Sequence, residues 1–407
     1  MNVNELRQQF PQLAETVYGK PLVYLDNAAT SLRPLSVVEK WTEMSLRLNS
    51  NIHRAVHHTS EAATAEYENA REAVGRFIGA SSRDEIIFTS GATESLNLAA
   101  GSFCEAFLKP GDEIIVCEAE HHSDLVPWQQ QCRKKGAVMR RLPVSDEGYV
   151  DLDALKGLLG PRTVLVCVCH ISNVLGIVNP VKEIAALCHS MGCRLLVDGS
   201  QAVAHLRVVV KELDCDFYAF SGHKMFAATG TGVLYGRKEL LDRMPPFLMG
   251  GEMIDSVKWD STDFAPVPRR FEAGTRNFAS VPTLVPAIAA VEAMRAPEIQ
   301  RAQEEIRDYM LDALGSDSRI TLFGRPGRRE DKIPLFSFCV EGAHHEDLAL
   351  IMDKMGFALR SGQMCAEPLM DRFGVTGMLR ASFAPYNTLE EAQRFIESLG
   401  RAVEMLV

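Results

Sequence analysis

At 407 residues, with 46% hydrophobic and 24% charged positions, the chain is long enough for two or three domains and has the composition of an ordinary folded protein. Its formal net charge of −10 argues against nucleic acid as the main partner, because phosphate backbones attract basic surfaces. No apolar run reaches the roughly 18 residues of a membrane span, and residues 1–10 carry Glu5 and Arg7 where an export signal has an apolar core. The expectation is a cytoplasmic protein with no membrane association.

The 10 cysteines form no C-x-x-C pair, and most lie inside apolar runs. That pattern predicts neither a disulfide framework nor a zinc site, but reduced cysteines acting as small core residues. Cys365 is the exception, lying in the polar segment Arg360-Ser361-Gly362-Gln363-Met364-Cys365.

In chain order, strands are predicted at Glu85–Thr89, Glu113–Cys117, Val138–Leu142, Thr163–Val168, Arg194–Asp198, Asp216–Ser221 and Gly232–Tyr235. Helical spacing falls between them at Leu96–Phe107, Leu152–Leu159 and Val181–Met191. Apolar strands alternating with helices predict a mostly parallel sheet covered on both faces, with ligands at the carboxyl ends of its strands. Between Pro245 and Val281 the pattern breaks up. A long helix is then predicted at Leu284–Leu314, strands at Arg319–Phe323 and Leu335–Val340, and a final helix at Thr388–Leu406. The charged, Gly-containing Arg325–Lys332 reads as an exposed loop. The expected division is a large domain over 20–280 and a smaller α/β domain made of 1–19 and 281–407.

The polar motifs fall at strand ends. Ser221-Gly222-His223-Lys224 follows one strand, where a lysine is either a surface loop residue or an amine consumed in an imine. Asp198 ends another strand, 26 positions earlier. It is either a helix cap or the carboxylate that keeps a pyridoxal phosphate (PLP) ring nitrogen protonated. Gly91-Ala92-Thr93-Glu94 opens a helix, as a phosphate cradle or as a plain N-cap. Glu120-His121-His122-Ser123 offers a ring to stack on a cofactor, or is an ordinary polar loop without metal-ligand spacing. Cys365 is a candidate nucleophile, and Arg380 a carboxylate clamp or a structural ion pair.

These segments, together with Tyr24-Leu25-Asp26, Asn51-Ile52-His53-Arg54, Ser172-Asn173-Val174-Leu175-Gly176, Asp198-Gly199-Ser200-Gln201, Phe271-Glu272-Ala273-Gly274-Thr275, Cys365-Ala366 and Arg380-Ala381-Ser382-Phe383, occur in an order that resembles the group II cysteine desulfurases. That group includes the Suf-type enzymes and the cysteine sulfinate desulfinases. The resemblance covers essentially the whole chain. It implies a fold-type I PLP enzyme, acting as a homodimer, with a large domain built on a mostly parallel seven-stranded sheet and a smaller C-terminal α/β domain.

The resemblance further implies that Lys224 holds the cofactor, Asp198 its ring nitrogen and Gln201 its phenolic oxygen, with His121 stacked on the ring. Ala92, Thr93, Ser221 and His223 would bind the phosphate, with Thr275 reaching in from the other subunit. Asn173 and Arg380 would hold the substrate carboxylate, with Arg360, His53 and Arg54 also on the substrate side. Cys365 would take sulfur from L-cysteine as a persulfide, release alanine, and pass the sulfur to a protein acceptor for iron–sulfur clusters or another thio-cofactor. Rival readings are a selenocysteine lyase or cysteine sulfinate desulfinase and, further off, an aminotransferase- or kynureninase-like enzyme or a non-catalytic partner subunit. The chain departs from the family pattern at Met364 (usually His), Ala227-Ala228 (usually Gly-Pro), Arg276 (usually Pro, expected to add charge near the phosphate) and Ser200 (usually Ala).

Overall fold

The computed structural model describes residues 2–407. Seven strands form its central sheet: β1 (Ile86–Thr89), β2 (Glu113–Cys117), β3 (Val138–Leu142), β4 (Thr163–Cys169), β5 (Arg194–Asp198), β6 (Phe217–Ser221) and β7 (Gly232–Gly236). They lie in the order β1-β7-β6-β5-β4-β2-β3. Only β7 runs antiparallel to its neighbours. Each predicted strand is present, with ends shifted by one residue at Glu85, Asp216, Cys169 and Gly236.

The sequence builds this sheet because β1, β2, β6 and β7 are buried at every position, as strands covered on both faces must be. Helices Ala92–Phe107 and His122–Lys135 cover one face, where Phe103 and Trp128 pack on Ile114 and Leu234. His58–Phe77 and Val181–Ser190 contribute Tyr67, Val74 and Ile184 to the core of the other face. The edge strand β3 keeps Arg140 and Arg141 exposed, the usual guard against edge pairing. Strands β1, β2, β4, β5 and β6 point the same way, so Thr89, Cys117, Cys169, Asp198 and Ser221 end on one side of the sheet.

The segment predicted to lack pattern holds a short hairpin, β8 (Ile254–Val257) and β9 (Thr262–Phe264), with Trp259 fully exposed at its tip. A second, antiparallel sheet joins β10 (Ile320–Phe323), β11 (Leu335–Val340), β12 (Arg360–Gly362) and β13 (Met378–Ser382) in the order β10-β11-β13-β12. Helices Pro297–Ser316, His345–Lys354 and Leu389–Leu406 share its core, which includes Ile306, Phe338, Phe357 and Phe395. The N-terminal segment joins it through Val23–Tyr24, paired in parallel with Phe357–Ala358.

Two expectations are corrected. The single helix over Leu284–Leu314 is two, Leu284–Met294 and Pro297–Ser316, because Pro297 cannot donate within a helix but suits a first turn. The segment Arg325–Lys332 is not wholly an exposed loop: Lys332 is 2% exposed, and its ammonium is held by the Leu175 carbonyl beneath the Phe336 ring. Among the described residues no helix is long and apolar enough to cross a membrane, and no cluster of His, Cys, Asp and Glu is placed to hold a metal ion.

Candidate active site

The shared strand ends open into a cavity of about 550 Å³. Its walls gather Ala92, Thr93, His121, Asn173, Asp198, Ser221, His223, Lys224, Arg360, Cys365 and Arg380, so eleven of the residues singled out in the sequence meet in one place. Lys224 ends a single 3-10 turn after β6. Enclosure pulls its amine below the ordinary lysine range, and only the Asp198 charge among the larger influences opposes this strongly. An amine so depressed is a better nucleophile at neutral pH than a surface lysine. Asp198 sits at the end of the adjacent β5, 8% exposed, with one carboxylate oxygen accepting from Ser200 N–H at 2.8 Å.

His121 caps helix His122–Lys135, its Nδ1 accepting from Ser123 N–H at 3.1 Å. Burial, and next the Lys224 amine, hold its ring down at about 4, so it is a neutral aromatic face at physiological pH. Beneath it, Glu120 Oε1 accepts from Cys169 N–H at 2.6 Å and Asp124 Oδ1 from Trp128 Nε1 at 2.7 Å. Both carboxyls are buried with no cation beside them. Burial pushes Glu120 up to about 8, and burial and then the Glu120 charge push Asp124 well above the usual carboxylate range.

This pair makes a pH prediction. Glu120 binds its proton more tightly folded than unfolded, so its contribution to stability falls as pH rises from about 4.5 towards 8. Glu120→Gln keeps an acceptor for Cys169 and removes the titration. Thermal melts should therefore show the variant gaining on the natural protein across that window, the gain growing up to about pH 8. Parallel melting curves would refute it.

The opposite wall offers hydrogen-bond donors of the kind an anion takes. Helix Ala92–Phe107 starts at Gly91 with no side-chain cap, which leaves first-turn amides unspent. Ser221 Oγ accepts from Ala92 N–H at 2.8 Å, and Thr93 Oγ1 pairs with Ser123 Oγ at 2.8 Å. Gly232 permits the close approach, since a Cβ there would lie 2.4 Å from Gly91 Cα. Burial holds the His223 ring at about 4, and its Nδ1 meets Thr30 Oγ1 at 3.2 Å.

Arg380, in β13, is 3% exposed. It donates to Asn173 O at 2.7 Å and pairs with Asp26 at 3.3 Å, while its Nε is buried without a partner. Burial lowers this guanidinium to about 10. Asp26 also pairs with Arg360 at 3.2 Å, so one carboxylate steadies both cations. Cys365 is exposed at the cavity's lip, whereas eight of the ten cysteines are buried and Cys339 is half-buried.

Four predicted residues lie elsewhere in this chain. Gln201 is buried behind the cavity, donating to Ala28 O at 2.8 Å. Thr275 lines a separate cavity of about 270 Å³ with Asn277. His53 meets Glu68 at 3.1 Å, and Arg54 meets Glu252 at 2.7 Å. The segment bearing Thr275 is anchored by Glu272, which takes two bonds from the buried Arg71 guanidinium at 2.7 and 2.9 Å and one from Phe88 N–H at 2.8 Å.

The departures from pattern also find places. The Arg276 guanidinium donates to the carbonyls of Ala273 and Phe88 at 2.8 and 2.7 Å, beside Thr275 in the separate cavity. Ala228 uses the N–H that a proline lacks, donating to Thr283 Oγ1 at 3.1 Å. Ser200 Oγ is buried without a partner. Sequence reasoning left His122, Asp124 and Asp26 unassigned. A histidine beside His121 and an acid ending the apolar run Leu22–Leu25 were the available signals.

A PLP molecule asks for an enclosed amine, an acid for its ring nitrogen, a flat face for its ring and a cradle for its phosphate. Lys224, Asp198, His121 and the uncapped helix start at Gly91 with Thr93 and Ser221 meet those needs around one cavity. The orphaned Arg380 Nε adds a donor for a carboxylate next to them.

Residues 23–395 match the family model described as Aminotransferase class-V. A probable cysteine desulfurase of Halalkalibacterium halodurans is 43% identical over 404 residues, covering 99% of this chain and 98% of that protein. Among solved structures, the cysteine desulfurase CsdA of Escherichia coli superposes with a TM-score of 0.89 at 38% identity, covering all of both chains. The apo cysteine desulfurase of Thermococcus onnurineus does so with a TM-score of 0.92 at 37% identity, covering all of this chain and 98% of its own.

Proposed function

Because the chain belongs to the aminotransferase class-V family, we propose that it is a PLP-dependent cysteine desulfurase, converting L-cysteine to L-alanine and collecting the sulfur on Cys365. The observation that carries this reading is an exposed thiol fixed at the lip of the same cavity that encloses Lys224, Asp198 and Arg380.

When bound, PLP supplies an electron sink for the pair left at the substrate's Cα. Asp198 holds the ring nitrogen protonated, and the neutral His121 ring supports the cofactor's face. Thr93, Ser221 and His223 hold the phosphate, with Thr275 contributed across a homodimer. Arg380 and Asn173 orient the substrate carboxylate, and the Lys224 amine moves the Cα proton. Cys365 attacks the substrate sulfur: a new S–S bond forms, the C–S bond breaks, and its electron pair stays with the carbon, which takes a proton to become alanine. The persulfide then faces outward for a protein acceptor. The low-exposure cysteines suit the reducing cytoplasm. The small domain, residues 1–19 and 281–407, carries the thiol, and the large domain, residues 20–280, carries Lys224.

The test is single-turnover alanine formation from L-cysteine by the PLP-bound protein, followed by mass spectrometry of Cys365. One sulfur gained on Cys365 per alanine supports the reading. Alanine released only from the sulfinate or selenocysteine overturns it in favour of the lyase or desulfinase. A second test concerns Arg380→Lys, which keeps the charge but loses the planar fork. It should raise KM for L-cysteine roughly 10–100-fold with the cofactor's absorbance unchanged. An unchanged KM would remove Arg380 from the carboxylate site.

A further inference from the structure

Met364 and Cys365 both adopt left-handed backbone conformations, with φ of 54° and 56°. Neither is glycine, so the turn is costly and needs fastening from outside. Three bonds from other elements supply this. Asn173 Nδ2 donates to Met364 O at 2.8 Å, His122 N–H donates to Cys365 O at 2.7 Å, and Glu367 N–H donates to His122 Nε2 at 3.1 Å. Within the segment, Gln363 Nε2 donates to Glu367 Oε1 at 3.2 Å. Two of the three outside fastenings therefore belong to His122, one on each side of the Cys365–Ala366 turn.

The second of these makes the ring an acceptor. A backbone amide can only donate, so the nitrogen facing Glu367 N–H carries its lone pair. The groups around this ring are His121 on its own loop, with ring centroids 6.4 Å apart, and Glu367 and Cys365 on the segment it holds. Lys224 and Asp198 stand on the cavity's floor, with Arg360 and Arg380 on its far wall.

We propose that His122 is the positioning residue of the nucleophile: its ring nitrogen and its backbone amide together latch the Cys365 turn over the cavity. This deepens the reading of Cys365 as the sulfur-receiving thiol and rests on it. A thiol on a strained turn needs such a hold to meet a substrate inside the cavity, and His122 supplies two of its three outside bonds. Met364 heightens this dependence, since its side chain cannot form the bonds that an imidazole at that position would.

The test compares the PLP-bound natural protein with His122→Gln and His122→Phe. Gln places an acceptor that does not titrate near Nε2, and Phe places none. Amide hydrogen exchange of residues 363–369 is followed for the three proteins at one pH. His122→Gln should keep the natural protein's protection, and His122→Phe should lose about tenfold, the loss of one hydrogen bond, and be slower by about tenfold in persulfide formation, with its cofactor absorbance unchanged. Protection of this segment in His122→Phe equal to the natural protein's, or the same loss in His122→Gln as in His122→Phe, overturns the proposal. Exchange follows the latch without sulfur chemistry: the expected exchange pattern without sulfur on Cys365 would uphold the latch and sink the desulfurase reading.

Discussion

Replacing Lys224 by alanine is expected to abolish alanine formation from L-cysteine, lowering kcat by about four orders of magnitude or more. The reason lies in what surrounds the amine. Burial lowers its proton affinity, Asp198 alone among its close neighbours offers strong compensation, and no other lysine lines the cavity. On the proposed reading the amine serves twice, as the attachment for PLP and as the group that moves the Cα proton, and no second lysine lines the cavity to replace it. Lys224→Arg separates charge from chemistry, because a guanidinium stays protonated and cannot do either. It should fail as completely as alanine, and both variants should lose bound PLP on desalting far faster than the natural protein. The measurement is alanine released per protein chain, alongside the visible absorbance retained after gel filtration. Turnover within tenfold of the natural protein in either variant would assign the chemistry to another residue.

The large sheet was legible because its strands are short apolar runs, and burial on both faces leaves no polar interruptions to confuse the pattern. Polar residues accumulate at the carboxyl ends, so Asp198 and Lys224 announced themselves at the ends of β5 and β6. Other elements gave weaker signals. Helix His58–Phe77 carries its buried face at Ala63, Tyr67, Ala70, Val74 and Phe77, a spacing of three and four that low overall hydrophobicity obscured. Strand β13 buries a guanidinium at Arg380 between apolar neighbours, and hairpin β8–β9 is exposed at nearly every position, so neither reads as a strand by burial.

Contacts distant in sequence were not legible at all. The Arg71–Glu272 pair spans 201 positions, and the Lys332–Leu175 contact spans 157. Nothing local distinguishes a lysine that will be buried under an aromatic ring from one in a charged loop. The same holds for Arg276, whose guanidinium reaches the Phe88 carbonyl 188 positions earlier. The motif His121-His122 was visible, but the division of labour within it was not. His121 faces the cavity, while His122 fastens a turn that arrives from 245 residues further along the chain.

Cys365→Ala should divide substrates by how their sulfur leaves. With L-cysteine, the C–S bond breaks only if a nucleophile receives the sulfur, and Cys365 is the exposed thiol among the ten cysteines. Removing it should lower alanine formation about 10²–10³-fold, while the walls that hold PLP and the carboxylate stay intact. With cysteine sulfinate the leaving group departs without being attacked, so the variant should keep its turnover within a few fold. The paired measurement is alanine release from the two substrates, with cofactor absorbance recorded for each protein. A parallel collapse on both substrates would mean that position 365 shapes the cavity rather than accepts sulfur. Unchanged turnover of L-cysteine would remove the thiol from the reaction altogether. The predicted split follows from geometry: Cys365 is on the rim and Lys224 on the floor, so deleting the first takes away an acceptor and leaves the machinery at Cα in place.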